Sequence, residues 1–399
     1  MNFIDRAKLL GHDTTNLKDG ETISSTVVVN SIEDFRTLFG SDAGDAARAD
    51  FSAAMNKQLE PVAIRMIPQA ALTRLIDYVY GNGHLSHNDK LLADSIFPIK
   101  ITAVSAQETT IKDDLTYGPS ASPYLLNAGT LTFDGGSISL LNTPGTVTAD
   151  TLVVKEGGKK PYHVGIFGGA GIDGDPGQKG PSYPNPAAPG ADKNPASPGV
   201  CTGVGPGGTG KNGVSGGDGL PGRKGGDGLP SLPANIRINA FDSSNSTSYL
   251  AVYTESGAGG QGGTGGAGGA GQAGGRGGNG CDSDCEGTDG GPGGNGGAGG
   301  KGGDGGPGGN GASGQPITIS FPEVSKDSLT TSSKDLPGGQ GGNGGAGGEG
   351  GARGNGGNGG KKSAQGEAGN DGKPGEAGND GEKNGNFVSH GEFKISYHK

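Results

Sequence analysis

The 399-residue chain has no tryptophan, three methionines, three cysteines and six histidines, and its aromatic residues amount to 5%. With hydrophobic residues at only 30%, a single large conventional core running through the whole chain is excluded. No apolar stretch approaches the ~20 residues that a helix needs to span a bilayer, so no membrane insertion is expected. The first residues, MNFIDRAKLLGHD, lack the apolar centre of a secretory signal. A protein of this kind working outside a cell would leave by lysis or a dedicated machine. The net charge of −10 argues against non-specific nucleic-acid binding.

Motifs that carry chemistry are also scarce. No nucleophile–base set is present, so the chain is not read as an enzyme, and neither a cofactor nor a metal site is assigned. Residues 205–212, GPGGTGKN, imitate a phosphate-binding loop but lack its final Ser or Thr and have no flanking strand and helix. In so glycine-rich a chain such a match is expected by chance. His84-x-x-His87 is the only histidine pair with ligand-like spacing, and it is a weak signal.

What the chain has in abundance is glycine. Only 13 of its 90 glycines precede residue 161. In residues 257–280, GAGGQGGTGGAGGAGQAGGRGGNG, the other residues fall at every third position, with one slip at Gln272. A period of three matches neither an α-helix nor a strand. It is the period of the polyproline-II-type helix, which has no internal hydrogen bonds and must pair its N–H and C=O groups with neighbours or water. Residues 290–311 and 338–361 repeat the pattern, the latter with a slip at Arg353. Residues 165–182, 207–230 and 366–383 keep glycine once per triplet. All six runs have similar length, roughly 55–75 Å at a rise of ~3.1 Å per residue. Unrelated linkers need not match in length, whereas packed helices should. Runs three to five, with two glycines per triplet, are expected at the centre of a bundle, and runs one and six at its periphery.

The first part has ordinary globular composition. A strand is expected at residues 23–29, then a helix capped by Ser31 and ended by Gly40. A helix over residues 42–60 is stopped by Pro61, and another after Pro68 turns Ala71, Leu72, Leu75, Ile76 and Val79 to a core. Strand patterns follow from Pro98, with a hairpin-like turn at Asp134-Gly135-Gly136. Residues 234–255 read as a β-hairpin, and 316–321 and 386–398 as further strands.

If the runs alternate up and down, as their short links require, every strand-bearing insert falls at one end and every strandless link at the other. The expected fold class is therefore mixed: an α-rich head (1–97), a central antiparallel β-sheet or sandwich base (98–164, completed by 234–255, 316–321 and 386–398), and a C-terminal bundle of about six antiparallel polyglycine-II helices (165–383). The distal loops are 183–206, 281–289 and 362–365, and Cys201, Cys281 and Cys285 all lie in them. The segment CDSDCEGTD fits a plain acidic turn, a disulfide (281–285, or one of the two to Cys201) or a cation site.

GAGGQGGTGGAGG, GGPGGNGGAGGKGGDGGPGGNG and GGQGGNGGAGGEGG resemble the polyglycine-sandwich domains of tail-fibre tip adhesins from T-even-type bacteriophages. The resemblance is confined to the triplet runs. The runs are similar too to those of snow-flea antifreeze proteins, which are essentially all bundle. The adhesin resemblance implies a non-enzymatic extracellular or virion-surface protein whose rigid bundle presents distal loops to a bacterial or other cell-surface receptor. Tyr183, Asp192, Lys193, Asp282, Asp284, Glu286, Lys361 and Lys362 are then the candidate receptor-binding residues. The alternative is a self-assembling subunit of a filament or surface layer, with copies of the chain as its own partners. Edge strands such as 316–321 or 393–397 would join them, and oligomers are compatible with either reading. A collagen-like trimer ranks last, because the Gly-X-Y tracts are short and broken.

Overall fold

The structure is a computed structural model that describes residues 2–18, 21–39, 71, 74, 75, 78, 79, 84–119, 122–155, 158–336, 338–382 and 390–399. The helix expected over 42–60 lies outside the described residues, as do Leu72 and Ile76. Ala71, Leu75 and Val79 are helical and buried. Four helices are short: α1 (Phe3–Leu9), α2 (Thr14–Lys18), α3 (Ile32–Phe39) and α4 (His87–Ile96). Asn2 caps α1 through the Asp5 N–H, and Ser31 caps α3 through the Asp34 N–H at 3.0 Å. Ser86 and Asp89 form a capping box on α4. The strand expected at 23–29 is β1 (Thr22–Val29).

Eleven further strands follow, in two sheets. Sheet A gains β2 (Ile99–Ile111), β4 (Tyr124–Phe133), β6 (Gly145–Val154), β8 (Ala234–Phe241), β10 (Ile317–Pro322) and β12 (Phe393–His398). Sheet B holds β3 (Asp114–Tyr117), β5 (Ser137–Leu141), β7 (Val164–Phe167), β9 (Leu250–Glu255) and β11 (Leu329–Lys334). Their spatial orders are β1-β2-β4-β6-β8-β10-β12 and β11-β9-β7-β5-β3. The chain thus winds from one sheet to the other and back, and each strand lands beside its counterpart from the previous coil. That route makes every pairing parallel except β1 with β2.

The expected fold class is corrected on this point. The protein is mixed α/β with two mostly parallel sheets and short helices; the base is not antiparallel, and the glycine runs do not form a separate C-terminal bundle. Residues 234–255 are no hairpin: β8 and β9 belong to opposite sheets. Asp134-Gly135-Gly136 likewise carries the chain from β4 in sheet A to β5 in sheet B, with Gly135 at φ +90°. Alternating apolar residues announce a half-buried strand, but they do not say whether its neighbour is the next strand or the next but one.

Between the sheets, side chains stack in register. Val104, Leu126, Val147, Ile236 and Ile319 form one ladder of sheet A, and Ile138, Leu140, Val164, Ile166 and Val252 face them from sheet B. Each fully buried aliphatic contributes roughly 1.5–3 kcal/mol. A second core, with Val27, Val29, Phe39, Leu75 and Ala103, packs the helices on the other face of sheet A. α1 is docked there by polar contacts. Arg6 meets Asp150 at 2.9 Å and donates to Asn127 at 2.7 Å, and the Phe3 N–H donates to Asp150 at 2.7 Å.

The glycine runs are insertions in this winding. β7, β9 and β11 lead out into runs one, three and five; runs two, four and six lead back into β8, β10 and β12. Two layers result, odd runs continuing sheet B and even runs continuing sheet A. Within a layer, donors point one way: Gly177 N–H to Thr264 C=O in run three, and Gly265 N–H to Asn343 C=O in run five, each 2.8 Å. Between layers the runs are antiparallel, as in Gly266 N–H to Leu220 C=O and Gly303 N–H to Gly266 C=O. Runs three and four each bond to four others, runs two and five to three, runs one and six to two. Glycine density tracks this contact in runs one, three, four and six, whereas runs two and five have equal numbers of neighbours and only run five keeps two glycines per triplet. A Cβ on Gly263 would sit 2.0 Å from the Asp175 carbonyl oxygen of run one. The equivalent positions of run one face no further run, and they carry Ile172, Asp175, Gln178 and Pro181.

Candidate functional site at the distal tip

The array ends, far from the sheets, in three links that converge. Run one extends beyond residue 182. After a bulge at 183–186 its ladder to run three resumes with Ala187 N–H to Ala273 C=O and continues to Lys193 N–H on Asn279 C=O at 2.9 Å. The slip at Gln272 fits this bulge, because its side chain donates to the Asn185 carbonyl at 3.0 Å and accepts from the Val214 N–H at 3.1 Å. Tyr183 therefore lies on the flank of the array beside Ala270–Ala273, not at the tip. The first distal link is 194–206, shorter than the loop expected from the sequence.

One disulfide and one threonine hold the tip together. Cys201 and Cys281 are bonded across 80 residues of sequence, and both are buried. Cys285 is an exposed free thiol. Thr288 is the hub: its hydroxyl accepts from Cys281 N–H at 2.8 Å and donates to Gly205 C=O at 3.2 Å. Its own N–H donates to Cys281 C=O, and its carbonyl accepts from Gly360 N–H at 3.0 Å. One residue thereby ties the first two links to each other and to the end of run five. Nothing in the sequence pattern singled it out, since its role comes from chains that meet only in three dimensions.

The acidic candidates mostly serve as ties. Glu286 accepts from Thr202 Oγ1 at 2.7 Å and Cys201 N–H at 2.9 Å, and these bonds, the hydroxyl first, hold its carboxyl below the usual range. Asp192 accepts from Asn279 N–H at 2.7 Å and Arg276 at 3.0 Å, which lower its pKa in that order. Asp282 accepts from Lys361 N–H at 2.7 Å, and the Lys361 ammonium reaches the Asp284 carbonyl oxygen. Asp289, outside the candidate set, accepts from Ala364 N–H at 2.8 Å. Lys193, Asp284 and Lys362 are exposed, with Lys362 held at φ 61°. Their side chains, two ammonium groups and one carboxylate, make no hydrogen bond or ion pair among the described residues, whereas the exposed Asp192, Asp282, Asp289 and Lys361 do.

Among the described residues no three His, Cys, Asp or Glu side chains are grouped to hold a metal ion. The phosphate-loop imitation is committed elsewhere too: the amides of Gly207, Gly208, Gly210 and Lys211 all donate to carbonyls of neighbouring runs or of Asp289. The tip is a cross-linked surface of backbone and charged groups.

No family model matches the chain, and no curated protein is similar to it. Among solved structures it is similar to a springtail antifreeze protein from Granisotoma rainieri, described as a bundle of nine polyproline type II helices. The two share 24% identity over 48% of this chain and 94% of that one, with a TM-score of 0.06. A likeness at that level carries no argument about fold or activity.

Proposed function

We propose that the protein is a non-enzymatic adhesive or structural protein of the extracellular or virion surface, and that its distal tip binds a cell-surface receptor, as the resemblance to phage tail-fibre tip adhesins implies. The observation that carries this reading is the convergence of three links at the far end of a long array, two of them joined by a disulfide and by Thr288 and the third held to Asp289. A pre-ordered tip loses little conformational entropy on contact with a target, so even a small patch can bind usefully. Lys193, Asp284 and Lys362 are the exposed tip side chains without a tie of their own, while Asp192, Asp282 and Lys361, exposed as well, and Glu286 also keep the surface in shape. A polar, charged receptor, such as a surface glycan or the loops of an outer-membrane protein, suits such a patch better than an apolar one.

The test is a binding assay of fluorescently labelled protein on a panel of bacterial strains, comparing the wild type with a Lys193→Glu, Lys362→Glu double variant. Neither side chain has a hydrogen-bond or ion-pair partner among the described residues, so folding should be unchanged. Loss of cell binding with an unaltered circular dichroism spectrum is expected. Binding that survives both this variant and replacement of residues 194–200 would defeat the proposal.

A further inference from the structure

The C-terminal end of the two-sheet stack leaves its apolar interior uncovered. Ile319 and Phe321 on β10 are fully buried, whereas the register-equivalent Ile395 and Tyr397 on β12 are 37% and 43% exposed. Among the described residues no strand pairs with the far edge of β12 or of β11. Val324, in the 3-10 helix Glu323–Ser328 between β10 and β11, is 93% exposed. By contrast β10, which sequence alone offers as an edge, is paired on both sides by β8 and β12.

The ladder sets which groups of β12 are available. Ile317 N–H donates to Glu392 C=O, a phase that commits the backbone of Lys394 and Ser396 to β10 and turns that of Phe393, Ile395 and Tyr397 outward. The same three residues carry the inward apolar side chains. Their sequence, Phe-Lys-Ile-Ser-Tyr, is a pseudo-palindrome: aromatic, polar, isoleucine, polar, aromatic.

We propose that this end is a self-association surface, closed by β12 of a second copy pairing antiparallel with β12 about a twofold axis through Ile395. That register sets Ile395 against Ile395 of the second copy, Phe393 against Tyr397 and Lys394 against Ser396. Two aromatic cross-strand pairs form, and no like charges meet. A register centred on Lys394 instead would oppose two ammonium groups. An axis normal to sheet A sends the two glycine arrays in opposite directions. It also keeps the sixth runs apart, with their Glu367, Asp371, Glu376, Asp380 and Glu382. A six-residue strand is about 20 Å long, and the end face, two sheets about 10 Å apart with their outer side chains, is about 20 Å thick, so about 400 Å² per copy is covered. The total, about 800 Å², is below the roughly 1,000 Å² of a stable specific interface, and the dimer is therefore weak and concentration-dependent. This inference does not rest on receptor binding at the tip, which stays free at both poles.

Sedimentation of the full chain over a wide concentration range should show a mass rising from one chain toward two and no further. Ile395→Pro removes an edge N–H at a position where an edge strand tolerates proline; it should weaken association about tenfold or more, a difference of ~1.4 kcal/mol. Ile395→Cys in a Cys285→Ser background should give a cross-linked dimer on mild oxidation, because directly opposed residues lie within disulfide reach. If Ile395→Pro fails to fold, the cysteine variant decides alone. A one-chain mass at every concentration, masses beyond two chains, or failure of the Ile395→Cys protein to cross-link would each overturn the proposal.

Discussion

Replacing Gly266 by alanine tests the glycine logic of the array most directly. Gly266 lies in run three, where its N–H donates to Leu220 in run two and its carbonyl accepts from Gly303 in run four, both at 2.8 Å. A Cβ there would stand 2.0 Å from the Gln178 carbonyl oxygen of run one, against 3.4 Å for ordinary contact. Runs one and three must then part locally by the difference, 1.4 Å. The bonds nearest the opening are Gly177 to Thr264, Gly180 to Ala267 and Gly266 to Leu220. Losing three bonds worth about 1 kcal/mol each costs about 3 kcal/mol. The lower chain entropy of an unfolded Gly→Ala variant adds to that loss nothing and offsets about 0.5–1 kcal/mol of it. A net destabilisation of about 2–2.5 kcal/mol follows. The control is Thr264→Ala, two positions away and exposed, which should be within ~0.5 kcal/mol of the parent. Native-state amide hydrogen exchange of Gly177, Gly180 and Gly266 is the assay, because the array can open locally without global unfolding. Equal protection in Gly266→Ala and Thr264→Ala would refute the reasoning that packing, rather than backbone preference, demands the glycines.

Two further outcomes follow from the same structure. Cys201→Ser should loosen the tip: an 80-residue closure is worth up to about 4.5 kcal/mol in the chain-entropy account, and amides of 201–205 and 286–288 should exchange faster while those of β4 and β6 do not change. Asp89 is buried, receives Arg74 at 2.8 Å and Ser86 Oγ at 2.6 Å, and has its pKa lowered by Arg74 first and Ser86 second. A carboxyl depressed in the folded state contributes stability above its unfolded pKa and loses it as pH falls through the folded value. Thermal melts between pH 7 and pH 2 should therefore show a shallower acid limb for Asp89→Asn than for the parent, with parallel limbs as the contrary result.

Much of the local structure was legible. The strand at β1, the helix behind Ser31 and the buried faces at Ala71, Leu75 and Val79 follow from alternation, capping and helical spacing. The position of the cysteines at the far end follows from counting runs and links. The tip itself was only partly readable. Tyr183 falls in the expected distal loop 183–206 because the first triplet run ends at residue 182, yet the ladder resumes at Ala187 once Gln272 fills the bulge. Three disulfide pairings were open because spacing along the chain does not report distance in space; the 201–281 bond depends on two links brought together by runs one to four. Thr288 and Thr202 are ordinary threonines until another chain segment presents a carbonyl or a carboxylate.

By itself the sequence determined which residues can lie against a neighbouring backbone: where every third side chain is present and the rest are absent, close approach is built into the covalent chain. It determined as well that the unpaired amides of those runs must find partners outside their own segment. Only the tertiary structure decided what those partners are and what the runs continue. Alternating strands with a period of two are compatible with hairpins or with coils, and the choice lies with the non-local ladder that sets β8 beside β6 and β10, and β9 beside β7. That ladder makes the sheets parallel, and its strands lead directly into the glycine runs. It places the tip and the open edge of β12 at separate parts of one molecule.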